Sequence, residues 1–554
     1  MNIAGIYQST MKKTIILFLA VLIHFTARAQ KTYPTGANFN PATIAATPRK
    51  VELSFRSFKS MPSSFSLEQF CPTPGNQGNH GTCVAFANAY GVATILYAKT
   101  HGLTDKALID KYAFSPTFLY EQIKDANDAD CQNGTDPINA LVTMIKGGDA
   151  LMRTVPYECG SVLTDAAKAE AINYKIQDAS ILFASAEMMG DSKYEKTDQE
   201  KIDATKKALM EGSPVSTGFF LPISFSNISG DFWNYQDGEE AGDWKHRGHA
   251  LAVVGYDDHK YGGCFRILNS WGTDWADGGY VWVRYKDFAK WCVMALQPFA
   301  DPYTLEPAEK HHDDPAPDPQ PEPKPEPKPD PRPDPKPEPK PQPEDVFILA
   351  GNVEFKLNTG SDMEVTKIST RNLVVDEDIP EADKKEDLVA YRMTETYTSG
   401  TKFRFYITTQ EESYIYAFAT DLTGKVNRIL PYDDMISTHI GANSVVAFPS
   451  DTKVVKMDEQ KGTDYLLILY SKEKLDASAI AATMSNMSGG LSKKIKTALG
   501  DKLIAKDKIK YNPESAGFSV NGKGTRNLEV ADEDGGGEHI SGTVVPLMIE
   551  FTHN

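Results

Sequence analysis

At roughly 150 residues per domain, a chain of 554 residues has room for about three domains. Its composition is 41% hydrophobic, 10% aromatic and 24% charged, which excludes a collagen, a wholly disordered chain and a polytopic membrane protein. The formal net charge of −17 argues against a phosphate-backbone partner, which needs a basic face, so no nucleic acid is expected.

The start of the chain reads as a leader. Lys12 and Lys13 precede the apolar run IILFLAVLI, and Ala27-Arg28-Ala29 then supplies small residues at the two positions a signal peptidase reads. The run is shorter than the ~20 apolar residues that span a bilayer. Residues 1–29 are expected to be a signal peptide, with Met11 as the true start, and residues 30–52 an N-terminal extension. No cysteine precedes Cys71, which rules out lipid attachment to a cysteine after cleavage, and no later segment reaches transmembrane length. An exported, soluble mature protein is expected. The six cysteines (Cys71, Cys83, Cys131, Cys159, Cys264 and Cys292) suit an oxidising compartment. Their connectivity is not legible in the sequence, and if one stays free as a nucleophile at most two bridges form.

The next segment carries chemistry. Pro74 to Phe86 reads PGNQGNHGTCVAF, with glycines at 75, 78 and 81 leading into Cys83. Phe86, Ala87, Tyr90 and Ile95 then recur at helical spacing, so Cys83 is expected at a helix N-terminus. Free amides and the helix dipole favour an anion there and lower a thiol's pKa. A lone cysteine is ordinarily a small buried hydrophobe, but the glycines make this one approachable. A thiolate nucleophile needs a base and a group that orients it. HALAVVGYDD (249–258) is an apolar strand opening on His249, and ILNSWGTDWADGGYVWVRY (267–285) carries Asn269 at a strand end and Trp271 two positions later. Each of these is commonplace alone; together they form a pattern.

That pattern resembles the papain and cathepsin family of cysteine peptidases, over about Leu53 to Phe299. The family's Q-G-x-C-G-S-C-W-A-F is matched by Gln77-Gly-Asn-His-Gly-Thr-Cys83-Val-Ala-Phe, its histidine before a small residue by His249-Ala250, and its N-S-W-G by Asn269-Ser270-Trp271-Gly272. VPY (155–157) and EGSPVSTGFF (211–220) resemble the family's Y-P-Y and G-P-V segments. The gap of 166 residues from Cys83 to His249 exceeds the usual ~130–150, so insertions are expected. The resemblance implies an α+β fold with a papain-like two-lobed catalytic domain, a helical lobe plus a β-barrel-like lobe, over residues 53–300. It implies that Cys83 attacks a peptide carbonyl as thiolate and that His249 supports the thiolate and protonates the departing amine. Asn269 then orients the histidine, Trp271 shields that bond, and Gln77 with the Cys83 amide donates to the oxyanion. No metal or cofactor is required. Gly134, Thr135, Gly248 and Ala250 are the residues expected to line the substrate.

There are departures from the family pattern. His80 stands where the family has a disulfide cysteine, Val84 replaces a tryptophan, and Thr135 replaces a glycine in the substrate-lining N-G-G-Y-P. Only about 40 residues separate the leader from Cys71, too few for a long helical inhibitory propeptide. The enzyme is therefore expected to need no such removal.

Residues 301–345 form a Pro-rich linker. From Asp314 to Pro343 every second residue is proline, 15 of the chain's 34, with seven acids and five bases between them. Proline removes amide donors and fixes φ, so the segment should be an extended polyproline II spacer of about 90 Å. All cysteines and tryptophans precede it. Two independently folded modules are expected, with a permanent interface disfavoured. Residues 346–554 carry strand signals, FRFYIT, YIYAFAT and YLLILYS, interrupted by helical spacing through LDASAIAATMSNM and LSKKIKTALGDKLI. A separate mainly-β accessory domain is expected, without catalytic residues; the acidic stretch EVADEDGGGEH reads as a solvated loop. This region resembles a bacterial domain of unknown function appended to peptidases and signalling enzymes, which implies attachment to, or binding of, a protein or cell-surface partner.

The reading is thus an exported cysteine endopeptidase acting on protein or peptide substrates, periplasmic, secreted or surface-held in a Gram-negative-type bacterium. The alternatives are a catalytically silent binding protein on the same fold, which ordinarily lacks one of the three site residues, and a cell-wall amidase, which ordinarily lacks N-S-W-G.

Overall fold

The computed structural model describes residues 33–59, 61–186, 194–239, 248–302, 304, 346–369, 389–421, 425–524 and 539–554. The leader, the proline-alternating segment and nearly all of the acidic stretch lie outside these residues. Among them, no helix is long and apolar enough to cross a membrane.

The first half divides into a helical side and a β side. The central helix runs from 83 to 100 as an α turn (Cys83–Ala85), a π segment (Phe86–Ala93) and an α segment (Thr94–Thr100). From Cys83 to Ala98 it is buried apart from half-buried Tyr90, and apolar residues accordingly lie on every side of it. Its Gly91 faces the strand His249–Asp257, where a Cβ would meet the Ala252 methyl group in ordinary contact at 3.5 Å. Two neighbouring helices begin in the same way, with proline in the first turn and a capping side chain before it. Ser115 caps Pro116–Ile123, and Asp136 caps Pro137–Gly147 by accepting from the amides of Ile138 and Asn139. A disulfide joins Cys131 to Cys159; Cys71, Cys83, Cys264 and Cys292 are free and buried.

The β side is one nine-stranded sheet. From one edge the order is Tyr280–Arg284, Cys264–Leu268, His249–Asp257, Val215–Phe219, Cys292–Ala300 and Ile176–Ala184, then Arg49–Lys50 and Ile436–Ser437, with Ser64–Ser66 paired beside His249–Asp257. The last two strands matter most, because Ile436–Ser437 belongs to the C-terminal half. The sheet is continuous across the two halves of the chain.

The C-terminal half stacks two further sheets. One has the order Ser444–Phe448, Lys402–Thr409, Val346–Leu357, Ala516–Gly524, Lys510–Tyr511. The other has Val365–Ser369, Val389–Met393, Val544–His553, Gly462–Ser471, Ser413–Thr420, Asn427–Leu430. Ile415, Ala417, Leu466, Ile468, Leu547 and Ile549 point into the core between the sheets. Their alternates Tyr414, Tyr416, Phe418, Leu467, Leu469 and Met548 pack with the helices Ala477–Ser485 and Leu491–Leu499. Both faces of these strands are covered, which is why YIYAFAT and YLLILYS read as unbroken apolar runs rather than alternating ones.

The expectation of modules without a fixed interface is not met. Lys50 Nζ lies 2.6 Å from both Glu211 Oε2 and Gln297 Oε1, and Ser444 Oγ donates to Glu211 Oε1 at 2.9 Å. Phe299 stacks on His439 with ring centroids 3.8 Å apart, and Asp178 accepts from Tyr414 and Lys474, each at 3.3 Å. A proline spacer sets how far two modules can separate; it carries no information on whether their surfaces are complementary.

Candidate functional site

Cys83 sits at the first position of the central helix, with Thr82 before it. The loop that delivers it is tied on both sides. The Gln77 amide donates to the Ser270 carbonyl at 2.8 Å and the Gly272 amide to the Gly75 carbonyl at 2.9 Å, so the PGNQG and NSWG segments zip together. Tyr157 donates to the Gln77 carbonyl at 2.8 Å and shares a 2.8 Å hydrogen bond with Thr82 Oγ1. This role for Tyr157 was not read from the sequence, although VPY had been singled out. His80, which replaces the disulfide cysteine of the family that the chain resembles, meets the Asp130 carbonyl at 3.1 Å.

His249 opens its strand beside this helix and is fully buried. Its Nε2 lies 2.8 Å from Asn269 Oδ1, and the Ser270 amide donates to the same oxygen at 2.7 Å. An oxygen receiving a backbone N–H identifies the acceptor end of the Asn269 amide, so His249 Nε2 must carry the proton. That leaves Nδ1 as the basic nitrogen, buried and without a hydrogen-bond partner among the described residues. The imidazole stacks on Trp271 at 4.6 Å, which covers the bond to Asn269. Gln77 Oε1 accepts from Ser270 Oγ at 2.6 Å, and its Nε2 donates to the His80 carbonyl at 2.8 Å. Sequence and structure thus bring Cys83, His249, Asn269, Gln77 and Trp271 to one place.

The cleft beside them is filled by the chain's own N-terminal segment. Tyr33 stacks on the free face of Trp271 at 4.5 Å, and the Pro34 carbonyl accepts from Gln77 Nε2 at 3.3 Å. Ala37 pairs with both walls: its amide donates to the Gly248 carbonyl at 2.9 Å and its carbonyl accepts from the Gly248 amide at 2.8 Å. Beside it the Thr135 amide donates to the Gly36 carbonyl at 2.8 Å, and the Asn38 amide donates to the Thr135 carbonyl at 2.9 Å. Gly36 is where only glycine fits, because a Cβ there would lie 1.9 Å from the Gly81 carbonyl oxygen. Phe39 lies over Gly218 and Gly248, whose Cβ atoms would each come within 2.3 Å of its ring, and meets Phe220 edge-on at 5.3 Å. A helical inhibitory propeptide is absent from the described residues, yet the cleft is occupied.

Of the residues expected to line the substrate, Thr135 and Gly248 pair with this segment, and Gly134 lies under Gly36. Ala250 is buried in the sheet opposite Gly218, with its backbone amide toward Cys83 Sγ. Gly218 was missed; the available signal was a glycine in the middle of a strand, which marks close approach by another group.

Burial shapes the protonation states at the site. It pushes the Cys83 thiol up to about 11, against weaker backbone hydrogen bonds from Ala250 and Gly36. It also pulls His249 down to about 4, against the raising effect of Asn269. In the covered site both groups are neutral, the reverse of the thiolate expected from a helix N-terminus, because desolvation outweighs the dipole when water is excluded.

Residues 64–301 match the family described as papain family cysteine protease, and residues 396–474 match the domain of unknown function DUF4384. Among curated proteins, an uncharacterised peptidase C1-like protein of Acanthamoeba polyphaga mimivirus is 23% identical over 276 residues, covering 48% of this chain and 78% of that one. A cathepsin B-like protein of Giardia intestinalis is 28% identical over 227 residues, covering 40% and 68%. Among solved structures, xylellain, a cysteine protease from Xylella fastidiosa, is 20% identical, with a TM-score of 0.39 over 49% of this chain and 98% of its own. Motifs, site geometry and family match agree: residues 64–301 are a papain-family cysteine peptidase domain, a hydrolase, and a DUF4384 domain follows it.

Proposed function

We propose that the protein is an exported endopeptidase that cleaves peptide bonds with Cys83 as nucleophile. The observation that carries this reading is the bond between His249 Nε2 and Asn269 Oδ1, an oxygen that also accepts the Ser270 amide; the ring proton then sits on Nε2 and leaves a basic Nδ1 for the thiol. Once the cleft is open and hydrated, His249 takes the thiol proton and the thiolate attacks the carbonyl carbon. The oxyanion is met by Gln77 Nε2 and the Cys83 amide, and the imidazolium returns its proton to the leaving amine. Asn269 keeps the ring in register, and Trp271 keeps water from their bond. Water then attacks the thioester, with His249 as base, and releases the acid and the free thiol. Thr135 and Gly248 offer edge hydrogen bonds for an extended substrate, and the glycine-floored pocket under Phe39 suits a large apolar side chain.

Export rests on the leader in residues 1–29 and is consistent with the disulfide between Cys131 and Cys159. The silent-binder alternative is not favoured, since Cys83, His249 and Asn269 are all present, and the amidase alternative has no observation of its own. Turnover of an unfolded protein substrate by the full chain, lost in Cys83→Ala, tests the reading. Undiminished cleavage by that variant contradicts it.

A further inference from the structure

We propose that the C-terminal β module has a function of its own: it anchors residues 33–39 as an inhibitory strap in the peptidase cleft. This deepens the peptidase reading and rests on Cys83 being the reacting thiol.

The strap lies directly against the site residues. Its Gly36 amide faces Cys83 and donates to the Gly248 carbonyl at 3.2 Å. The Pro34 carbonyl already occupies Gln77 Nε2. Ordering an extended stretch containing Gly36 costs backbone entropy at every residue, which the backbone hydrogen bonds to Gly248 and Thr135 and the packing of Tyr33, Ala37 and Phe39 offset. A second set of contacts close by in the chain adds to that hold.

The anchor is visible in the next twenty residues. The strap leads into the helix Pro41–Ala45, and Asp136 accepts from the Asn40 amide at 3.1 Å and from Thr43 Oγ1 at 2.8 Å. The chain then becomes the strand Arg49–Lys50, which lies parallel between Ile181 of the peptidase sheet and Ile436–Ser437 of the C-terminal half. From there it runs onto the C-terminal module. Val51 joins that module's core, and the Ser54 amide donates to the Val445 carbonyl at 2.8 Å. Asp451 accepts from Ser54 Oγ at 2.9 Å and from the Phe55 amide at 2.7 Å. The Val445 amide donates to Ser57 Oγ at 2.8 Å, while Arg56 pairs with Glu354 at 3.0 Å and lies 3.5 Å over the Tyr406 ring. Held by these contacts, the strap closes on the cleft as an intramolecular ligand at high effective concentration. Loosening the anchor lowers that concentration and raises the fraction of open cleft.

The test uses the full chain and the rate at which iodoacetamide alkylates Cys83, followed by peptide mapping. Arg56→Ala with Asp451→Ala loosens the anchor without touching the cleft, and about a tenfold faster alkylation of Cys83 is expected. Gly36→Ala, which prevents the strap from seating against Gly81, is expected to accelerate it as well. Unchanged alkylation in the anchor variant while Gly36→Ala accelerates overturns the proposal, because the strap then holds itself. Acceleration in neither variant overturns it too, because the strap is then no gate. Should the anchor variant fail to fold by circular dichroism, hydrogen exchange in the unaltered chain decides. The amides of Ala37 and Asn38 are expected to open together with those of Ser54 and Val445, and independent faster opening of the strap contradicts the anchor. Peptide turnover is read in parallel: faster alkylation with no cleavage by Gly36→Ala fails the peptidase reading and leaves the anchor standing.

Discussion

Ser270 Oγ donates to Gln77 Oε1 at 2.6 Å, and this one bond turns the Gln77 amide so that its N–H2 end faces the cleft. The neighbour of Asn269 therefore does two jobs, since its amide also fixes the acceptor end of Asn269. Gln77→Ala should cost roughly 10²–10³ in kcat by removing an oxyanion donor. Ser270→Ala should cost less, about tenfold, with KM little changed, because it leaves the donor present but free to rotate. Equal losses in the two variants would contradict this division of labour, and steady-state kinetics on one peptide decides it.

His249→Ala should abolish turnover almost completely, whereas Asn269→Ala should retain measurable activity, because Asn269 orients the ring without exchanging a proton. Full activity in the His249 variant removes the base from the account.

The floor under Phe39 is built from absent side chains. Gly218→Ala places a methyl group 2.3 Å from where that ring now lies. Peptides offering phenylalanine to this pocket should lose roughly tenfold in kcat/KM, and peptides offering alanine much less. A uniform loss across both peptides would mean that substrates do not use the pocket.

Glu211 is the buried hub between the modules. Burial alone would raise its carboxyl pKa, but Lys50, Lys207 and Gln297 outweigh it and hold the group below its ordinary value of 4.5. A depressed folded-state pKa gives stability that is present above the unfolded value and lost as pH falls through the folded one. The interface should therefore hold at neutral pH and weaken as pH drops below about 4.5. Glu211→Gln leaves Lys50 and Lys207 buried without a counter-charge and should destabilise the protein by about 3–5 kcal/mol at pH 7. In that variant the loss of stability with acid should also be shallower. Thermal melts of both proteins from pH 7 to pH 3 check the two statements together.

The chemistry of this protein was legible because it is local. Gly75, Gly78 and Gly81 before Cys83, and Asn269-Ser270-Trp271-Gly272 after His249, each announce a loop or strand end, and helical spacing places the thiol at a helix start. The strands around Tyr414–Phe418 and Tyr465–Tyr470 were legible for the same reason, as were the two helices that cover them. The strap was not. Gly36 and Ala37 have no periodicity, and they become a cleft-filling strand only through backbone pairing with Gly248 and Thr135, which a one-dimensional pattern does not contain. The interface was hidden in the same way: Lys50, Glu211 and Ser444 are ordinary polar residues until the fold brings them together.

The account turns on which thiol reacts. An irreversible thiol-directed peptidyl inhibitor, applied to the Gly36→Ala full chain and followed by peptide mapping, should modify Cys83 well ahead of the other free thiols, Cys71, Cys264 and Cys292. Burial pushes Cys71 and Cys264 up to about 12 within the fold, and Cys292 higher still, whereas Cys83 has the Gly36 amide of the strap against it. Labelling of any of those three as fast as Cys83 would contradict the account.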